Sequence, residues 1–130
     1  MPLITRALTS DLPLVTSYVG VGRARREELV AVGLPVPDRV RLELVISTGA
    51  RTSVLDRSAI ALLGLAPADA VALQFDVSLK LPADDGAPLV LELTVQEGEF
   101  SGQIYAGILG RDALANCALT IDAKGYTLAF

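Results

Sequence analysis

The chain contains no histidine, and that absence removes several chemistries at once. Neither a Ser-His-Asp triad nor a Cys-His pair can be built, and zinc sites made from His and Cys cannot be built either. Cys117 is the sole cysteine, so an internal disulfide is excluded. Its setting, Ala115-Asn116-Cys117-Ala118-Leu119, reads as a small buried residue at the start of a strand, with no basic cluster to activate the thiol. Lys80 and Lys124 are the only lysines, and neither stands in a helical or motif relation to Ser47 that would support Ser-Lys chemistry. What remains for acid and base work is carboxylate.

An extended basic surface is missing as well. The net charge is −4, and Arg23, Arg25 and Arg26 are balanced by Glu27 and Glu28, which argues against nucleic acid as a partner. Although 52% of the residues are hydrophobic, charges interrupt every apolar run before it reaches membrane-span length, so no membrane contact is expected. The composition reads as a soluble, tightly packed or oligomeric protein. Met1-Pro2-Leu3-Ile4-Thr5-Arg6 lacks the basic region and apolar core of a signal peptide, which favours the cytoplasm. No cofactor or metal is expected.

What the chain does have is an apolar strand running into a turn of small residues, Val45-Ile46-Ser47-Thr48-Gly49-Ala50. Val40, Leu42, Leu44 and Ile46 share one face and Arg41 and Glu43 the other, the period-two pattern of a half-buried strand. That register delivers Ser47 to a defined place. Thr48 and Gly49 suit a tight turn, since glycine reaches positive φ without steric cost and lets a backbone or ligand come close.

At 130 residues the chain reads as one domain, 1–130, large enough for a substantial core. Leu12 to Val21 predicts a first strand, with Pro13 near its start, where a missing N–H is tolerated. Arg23 to Val32 predicts a short amphipathic helix with Leu29, Val30 and Val32 as its apolar side, stopped by Gly33, Pro35 and Pro37. Its arginines read as a solvated face, with partner binding as the alternative. Thr52 to Leu55 predicts a short strand, and Asp56 an N-cap for a helix through Leu63. Leu73, Phe75, Val77, Leu79 and Leu81 alternate with polar residues, and the turn Pro82 to Pro88 joins them to Leu89, Leu91, Leu93 and Val95 as a hairpin. Asp84 and Asp85 could be read as a metal site or carboxylate pair, but adjacent acids in such a turn are ordinarily solvated. Gln96 to Glu99 reads as a polar turn, Ile104 to Leu109 as a strand, Arg111 to Asn116 as a short helix, and Leu119 to Phe130 as a closing hairpin. The sum is a mainly β chain of short strands and hairpins with two or three short helices, closed into a barrel to remove its edges.

Two of these stretches resemble the signatures of a known family. The active-site turn of the retropepsin-like aspartic proteases reads hydrophobic-hydrophobic-Asp-Thr-Gly-Ala, and residues 45–50 follow it with Ser47 standing where the family has Asp. Ile108-Leu109-Gly110-Arg111-Asp112 resembles the second signature, two aliphatic residues, Gly-Arg-Asp or Gly-Arg-Asn, and a short helix, in the right order and separation. Through Gln74 to Leu79 and Thr127 to Phe130 the resemblance extends to small bacterial proteins with a retropepsin-like domain, from about Leu12 onward.

The resemblance implies a retropepsin-like, acid-protease barrel that works as a homodimer. Each subunit would contribute one turn, and two facing carboxylates would share a proton, one acting as base on a water and the other as acid toward the peptide carbonyl. Ser47, Thr48 and Gly49 occupy the catalytic turn in this alignment, with Ala50, Gly110, Arg111 and Asp112 supporting the cleft or the interface. The dimer interface would use the terminal strands, here Leu12 to Val21 and Tyr126 to Phe130. Arg111 would form a structural ion pair; Arg51 and Thr52 stand where its usual partner lies, leaving Asp56 or Asp112. The flap that covers substrate would fall in Ala66 to Ala72, too short for a hairpin and without glycine, so it is vestigial or replaced by the Pro82 to Pro88 turn. A serine hydroxyl does not titrate in the accessible range, so no peptide hydrolysis is expected of the chain as given. That holds for a natural pseudoprotease and for an inactivating substitution of an active endopeptidase alike. The alternative reading is a non-enzymatic dimeric module that holds an extended peptide by strand addition.

Overall fold

The alternation at residues 40–46 is realised as a strand with those bounds in a computed structural model that describes residues 2–67, 71 and 73–130. In chain order the elements are β1 (Leu3–Ala7), β2 (Leu14–Val21), α1 (Arg23–Ala31), β3 (Val40–Ile46), β4 (Val54–Asp56), α2 (Arg57–Leu62), β5 (Gln74–Leu81), β6 (Leu89–Gly98), β7 (Gly107–Leu109), α3 (Arg111–Leu114), β8 (Ala118–Ile121) and β9 (Gly125–Ala129). Six strands close into a barrel in the order β2-β3-β7-β4-β6-β5, and β1-β9-β8 form a separate three-stranded sheet. This is the mainly β, closed-barrel architecture with short helices that the sequence predicts. Among the described residues no helix is long and apolar enough to cross a membrane.

The barrel core comes from alternate strand positions. Val15 and Val19 on β2, Leu44 on β3, and Val77, Leu79 and Leu81 on β5 are at most 2% exposed. Burying each such side chain contributes about 1.5–3 kcal/mol relative to leaving it in water. The β5–β6 hairpin supplies the longest antiparallel register, from Gln74 opposite Gln96 to Leu81 opposite Leu89. Closure needs two parallel pairs, β3 with β7 and β4 with β6, both between segments far apart in the chain.

Several sequence expectations are corrected by this packing. Gln96 to Gly98 is not a turn: Val54, Leu55 and Asp56 lie in parallel register with it, which extends β6. The strand expected over Ile104 to Leu109 is confined to Gly107–Leu109, with Ile104 half exposed. Strand β2 starts at Leu14, because Leu12 is bonded to Thr9 across a tight turn whose central residues, Ser10 and Asp11, have φ of 50° and 64°. Of the apolar side of α1, Leu29 alone is buried, while Val30 and Val32 are 66% and 68% exposed. Gly22 offers this helix no capping side chain; instead Glu92 of β6 accepts the Arg23 N–H at 2.6 Å. Gly33, at φ +74°, ends it in the left-handed region that glycine enters freely. Cys117 precedes β8 as expected but is half-buried, and burial pushes its thiol pKa up.

Strand β1 has no counterpart in the sequence reading, since Ile4 alone among its residues is buried. It is held on both edges. One edge pairs with β9, and the other meets the β5–β6 turn: Leu3 C=O accepts from Asp84 N–H at 2.8 Å, and the Asp84 carboxylate accepts from Thr5 N–H at 2.9 Å and from the Arg6 guanidinium at 2.6 Å. Asp84 is therefore a clamp rather than a merely solvated turn residue. Tyr126 of β9 ties the small sheet to the barrel by donating its hydroxyl to Leu14 C=O, and burial pushes its pKa up to about 12, so it remains a donor.

The Thr5 N–H and the Arg6 guanidinium together hold the Asp84 carboxyl below its usual range. A lowered folded-state value stabilises above the ordinary carboxylate pKa and is lost as pH falls through the lowered one. The Thr5 amide resonance is expected to move toward its disordered position as pH is taken from 6 to 2. Asp84→Ala is expected to show that position already at neutral pH; an unmoved Thr5 resonance in that variant would remove the clamp from the account of β1.

Candidate functional site

Strand β3 ends where the sequence reading places it, and its parallel partner carries the pairing one step further. Val45 and Ile46 lie opposite Ile108 and Leu109, and the Ser47 N–H then donates to Leu109 C=O at 3.0 Å. Ser47 and Ala50 are half-buried, whereas Thr48 and Gly49 are exposed at the tip. Gly49 has neither a positive φ nor a crowded Cβ position: an added Cβ would meet only the Ser47 Oγ, at 3.8 Å. The conformational need expected at Gly49 is thus not present in the chain itself.

The second motif comes to the same place. Arg111 N–H donates to Ala50 C=O at 2.8 Å, so the start of α3 closes over the end of the turn. Gly110 makes that approach possible. A Cβ there would lie 2.8 Å from the Thr52 carbonyl carbon and oxygen and 3.0 Å from the Ala50 oxygen, and its φ of −94° shows that space is the requirement, not backbone strain.

The residue that joins the two motifs is Ser53, which the sequence reading treats only as part of a short strand. It is 1% exposed, its Oγ donates to Asp112 Oδ1 at 2.7 Å, and its N–H donates to Asp112 Oδ2 at 2.9 Å. The same Oγ accepts from Gly110 N–H at 3.0 Å. Asp112 also accepts from Ala113 N–H at 2.8 Å, so both of its oxygens are engaged. The signal for Ser53 was its inward phase: it shares the face of Leu55, where a buried hydroxyl must find partners.

Arg111 does not take the ion-pair role implied for it. Its side chain is exposed, and the ion pairs among the described residues are Arg6–Asp84, Arg25–Glu28, Arg41–Glu43 and Arg57–Glu97. The two carboxylates proposed as its partners are otherwise occupied, Asp112 by Ser53 and Asp56 by the Ser58 hydroxyl at 2.7 Å. The flap segment Ala66 to Ala72 includes positions 68–70 and 72, which lie outside the described residues. The other proposed cover, the Pro82 to Pro88 turn, is bonded to β1 through Asp84. The terminal strands expected at a dimer interface have their edges paired within the chain: β2 pairs with β3 and β5, and β9 with β1 and β8. Among the described residues no three His, Cys, Asp or Glu side chains converge to hold a metal ion.

Chemically the site is a rigid frame around a hydroxyl. It can donate and accept hydrogen bonds at Ser47 and Thr48, and it presents no titrating group at the turn. No family model and no curated protein matches the chain. Among solved structures it is similar to a retropepsin-like aspartic protease from Rickettsia conorii, with a TM-score of 0.63 and 16% identity over 98% of this chain and 90% of that one. The likeness establishes a retropepsin-like fold.

Gly110→Ala is expected to lower stability by about 1–3 kcal/mol, because the added methyl meets backbone that cannot move aside. Asp112→Ala is expected to cost a similar amount, about 1–3 kcal/mol, by leaving buried Ser53 donors unpaired. Thermal or urea unfolding measures both; a loss well below 1 kcal/mol for Asp112→Ala would show that the latch is not structural.

Proposed function

We propose that residues 1–130 are a single retropepsin-like domain of the aspartic endopeptidase kind, silent toward peptide bonds as given because Ser47 stands at the acid/base position. The observation that carries this reading is the contrast at the turn. Its framework bonds are present, from Ser47 N–H to Leu109, from Arg111 N–H to Ala50 and between Ser53 and Asp112, while the group at the tip is a hydroxyl. Aspartic catalysis needs two facing groups that share one proton, so that one deprotonates water as the other protonates the carbonyl. Two serine hydroxyls can hydrogen-bond across a two-fold axis, but neither accepts the proton of an attacking water. Asp112 cannot substitute, since Ser53 engages both its oxygens.

The active arrangement takes one turn from each of two subunits, so the reading includes a homodimer with an extended peptide segment as ligand. In this chain both edges of β9 are paired in cis, so β9 offers a partner subunit no free edge. A non-enzymatic dimeric peptide-binding or interaction module is the second reading. It is favoured by the bonding of the Pro82 to Pro88 turn to β1, which removes one candidate cover for a catalytic cleft.

Peptidase activity of Ser47→Asp, beside the chain as given, on an unfolded protein substrate from pH 4 to 7 tests the reading. Cleavage is expected in the Asp variant alone, at least about 10²–10⁴-fold above the unchanged chain. Inactivity of both, with fold and association intact, would overturn the endopeptidase reading and leave the binding module.

A further inference from the structure

Arg39 is a cation held by neutral groups. Its side chain is half-buried, and its guanidinium donates from Nη1 to the Tyr18 C=O at 3.2 Å and the Ser78 C=O at 3.0 Å, and from Nη2 to the Ser78 hydroxyl at 2.9 Å. These acceptors satisfy hydrogens but leave the unit charge uncompensated. The ion pairs among the described residues belong to Arg6, Arg25, Arg41 and Arg57, so no described carboxylate lies within pairing distance of Arg39. Charges withdrawn from water are ordinarily paired. The Arg39 Nε–H and the second Nη2 hydrogen beside it have no acceptor among the described residues, which leaves one forked edge of the guanidinium free.

Gly20 makes this anchorage possible. A Cβ there would lie 3.2 Å from Arg39 Cγ, so the bare strand lets the side chain cross β2 and reach β5. Two more cations share the wall. Tyr18 has Arg41 as its partner on β3 and Lys80 as its partner on β5. Opposed residues share a face, here the outward one, since Val15, Ser17 and Val19 fill the alternate positions of β2 inside the barrel. Strands lie about 4.8 Å apart, so Arg41 and Lys80 stand about 10 Å apart at Cα with Tyr18 between them. The acids around them leave this charge in surplus. Glu92, opposite Ser78 on β6, accepts the Arg23 N–H, Asp76 accepts from the Thr94 hydroxyl, and Asp38 is exposed outside pairing distance. Glu43 accepts from the Thr16 hydroxyl and offsets part of Arg41 at 3.5 Å, while Lys80 has no ion pair among the described residues. In a chain of net charge −4, three of its eleven cations are thus gathered on one wall.

We propose that this outer wall of the barrel, centred on Arg39, is a binding site for the dianionic head of a small phosphate monoester. The phosphate takes the free Nε–Nη2 edge of Arg39 in a bidentate fork, and Arg41 and Lys80 supply further positive charge from either side of Tyr18. The carbonyl bonds of Arg39 hold its plane before any ligand arrives, so little side-chain freedom is lost on binding. A single carboxylate would match the fork but not the charge of three cations, and the dianion is the class that matches both. The site is separate from the Ser47 turn. Arg39 and Arg41 stand at the start of β3 and Ser47 follows its end, about 20 Å along the strand from Arg41, so the proposal stands or falls independently of the endopeptidase reading.

The test is a titration of the full chain with inorganic phosphate at about pH 7.5, where the dianion predominates, with ionic strength held constant by chloride. Backbone amides and the Arg39 Nε–H are followed by NMR. Saturable shifts are expected at the Arg39 Nε–H and at the Gly20 and Lys80 amides, with half-saturation on the order of millimolar, as suits a ligand of few atoms. Acetate is expected to bind at least about 10-fold more weakly. Lys80→Gln, which breaks no ion pair among the described residues, is expected to weaken phosphate about 3–10-fold with the unfolding midpoint unchanged. Arg39→Gln is expected to abolish saturation; since the same side chain joins β2 to β5, its spectrum is read first for fold, and Lys80→Gln decides if that fold is disturbed. Lys124→Gln, between β8 and β9, is the control and is expected to bind as the unchanged chain does. Shifts that never saturate, or that fall as much in Lys124→Gln as in Lys80→Gln, would show an adventitious ion only and overturn the site. Acetate binding as tightly as phosphate would overturn the phosphate assignment and give the wall to carboxylates.

Discussion

The bonds from Ser53 to Asp112 join positions 59 residues apart in the chain, and the turn at Ser47 depends on them. A net hydrogen bond in a folded protein contributes about 0.5–1.5 kcal/mol, while a buried polar group left without a partner costs about 1–3 kcal/mol. Ser53 is almost fully buried and bonded through both its N–H and its hydroxyl, so the arrangement is set by the cost of losing it as much as by the gain of having it. Once Asp112 is fixed there, Gly110 must lie against the Thr52 carbonyl, and only a hydrogen at its Cα fits. Arg111 then reaches Ala50 by its backbone, and the turn is closed from behind.

That latch sits where the barrel closes. Hairpins assemble β5 with β6 from neighbouring residues, but the parallel pairs of β3 with β7 and of β4 with β6 bring remote segments together. Parallel pairing cannot be made by a tight turn, and its loop-closure entropy must be offset by contacts elsewhere. Leu109 and Leu55 supply apolar burial at the same seam, each at most 1% exposed. A polar latch inside an apolar seam gives the closure a defined register.

Frame and chemistry are separable at this site. The backbone bonds that shape the Ser47 turn use main-chain atoms of Ser47 and Ala50, so they are indifferent to what side chain stands at position 47. Proton transfer is not indifferent, because it requires a group whose pKa lies near the working range. The retropepsin-like fold therefore does not by itself assign the activity.

Periodicity in the sequence was enough for β3, β5 and most of β6, because each buries one face and so repeats with period two. The end of β3 at Ser47 and the C-terminal hairpin were legible for the same reason, whereas the two motifs around the turn were legible through their resemblance to the signatures of a family. Elements that bury few side chains left no pattern: β1 buries Ile4 alone, and the last turn of β6 is strand only because β4 lies beside it. Nor could linear order show that Asp84 would grip β1, or that Asp112 would be spent on Ser53 rather than on Arg111. The sequence by itself determined where the chain alternates, the turns that join its alternating strands into hairpins, and that position 47 carries a hydroxyl. Tertiary structure alone decided which remote strands meet and which carboxylates are engaged, because those outcomes depend on pairing and closure across the whole chain, not on local pattern.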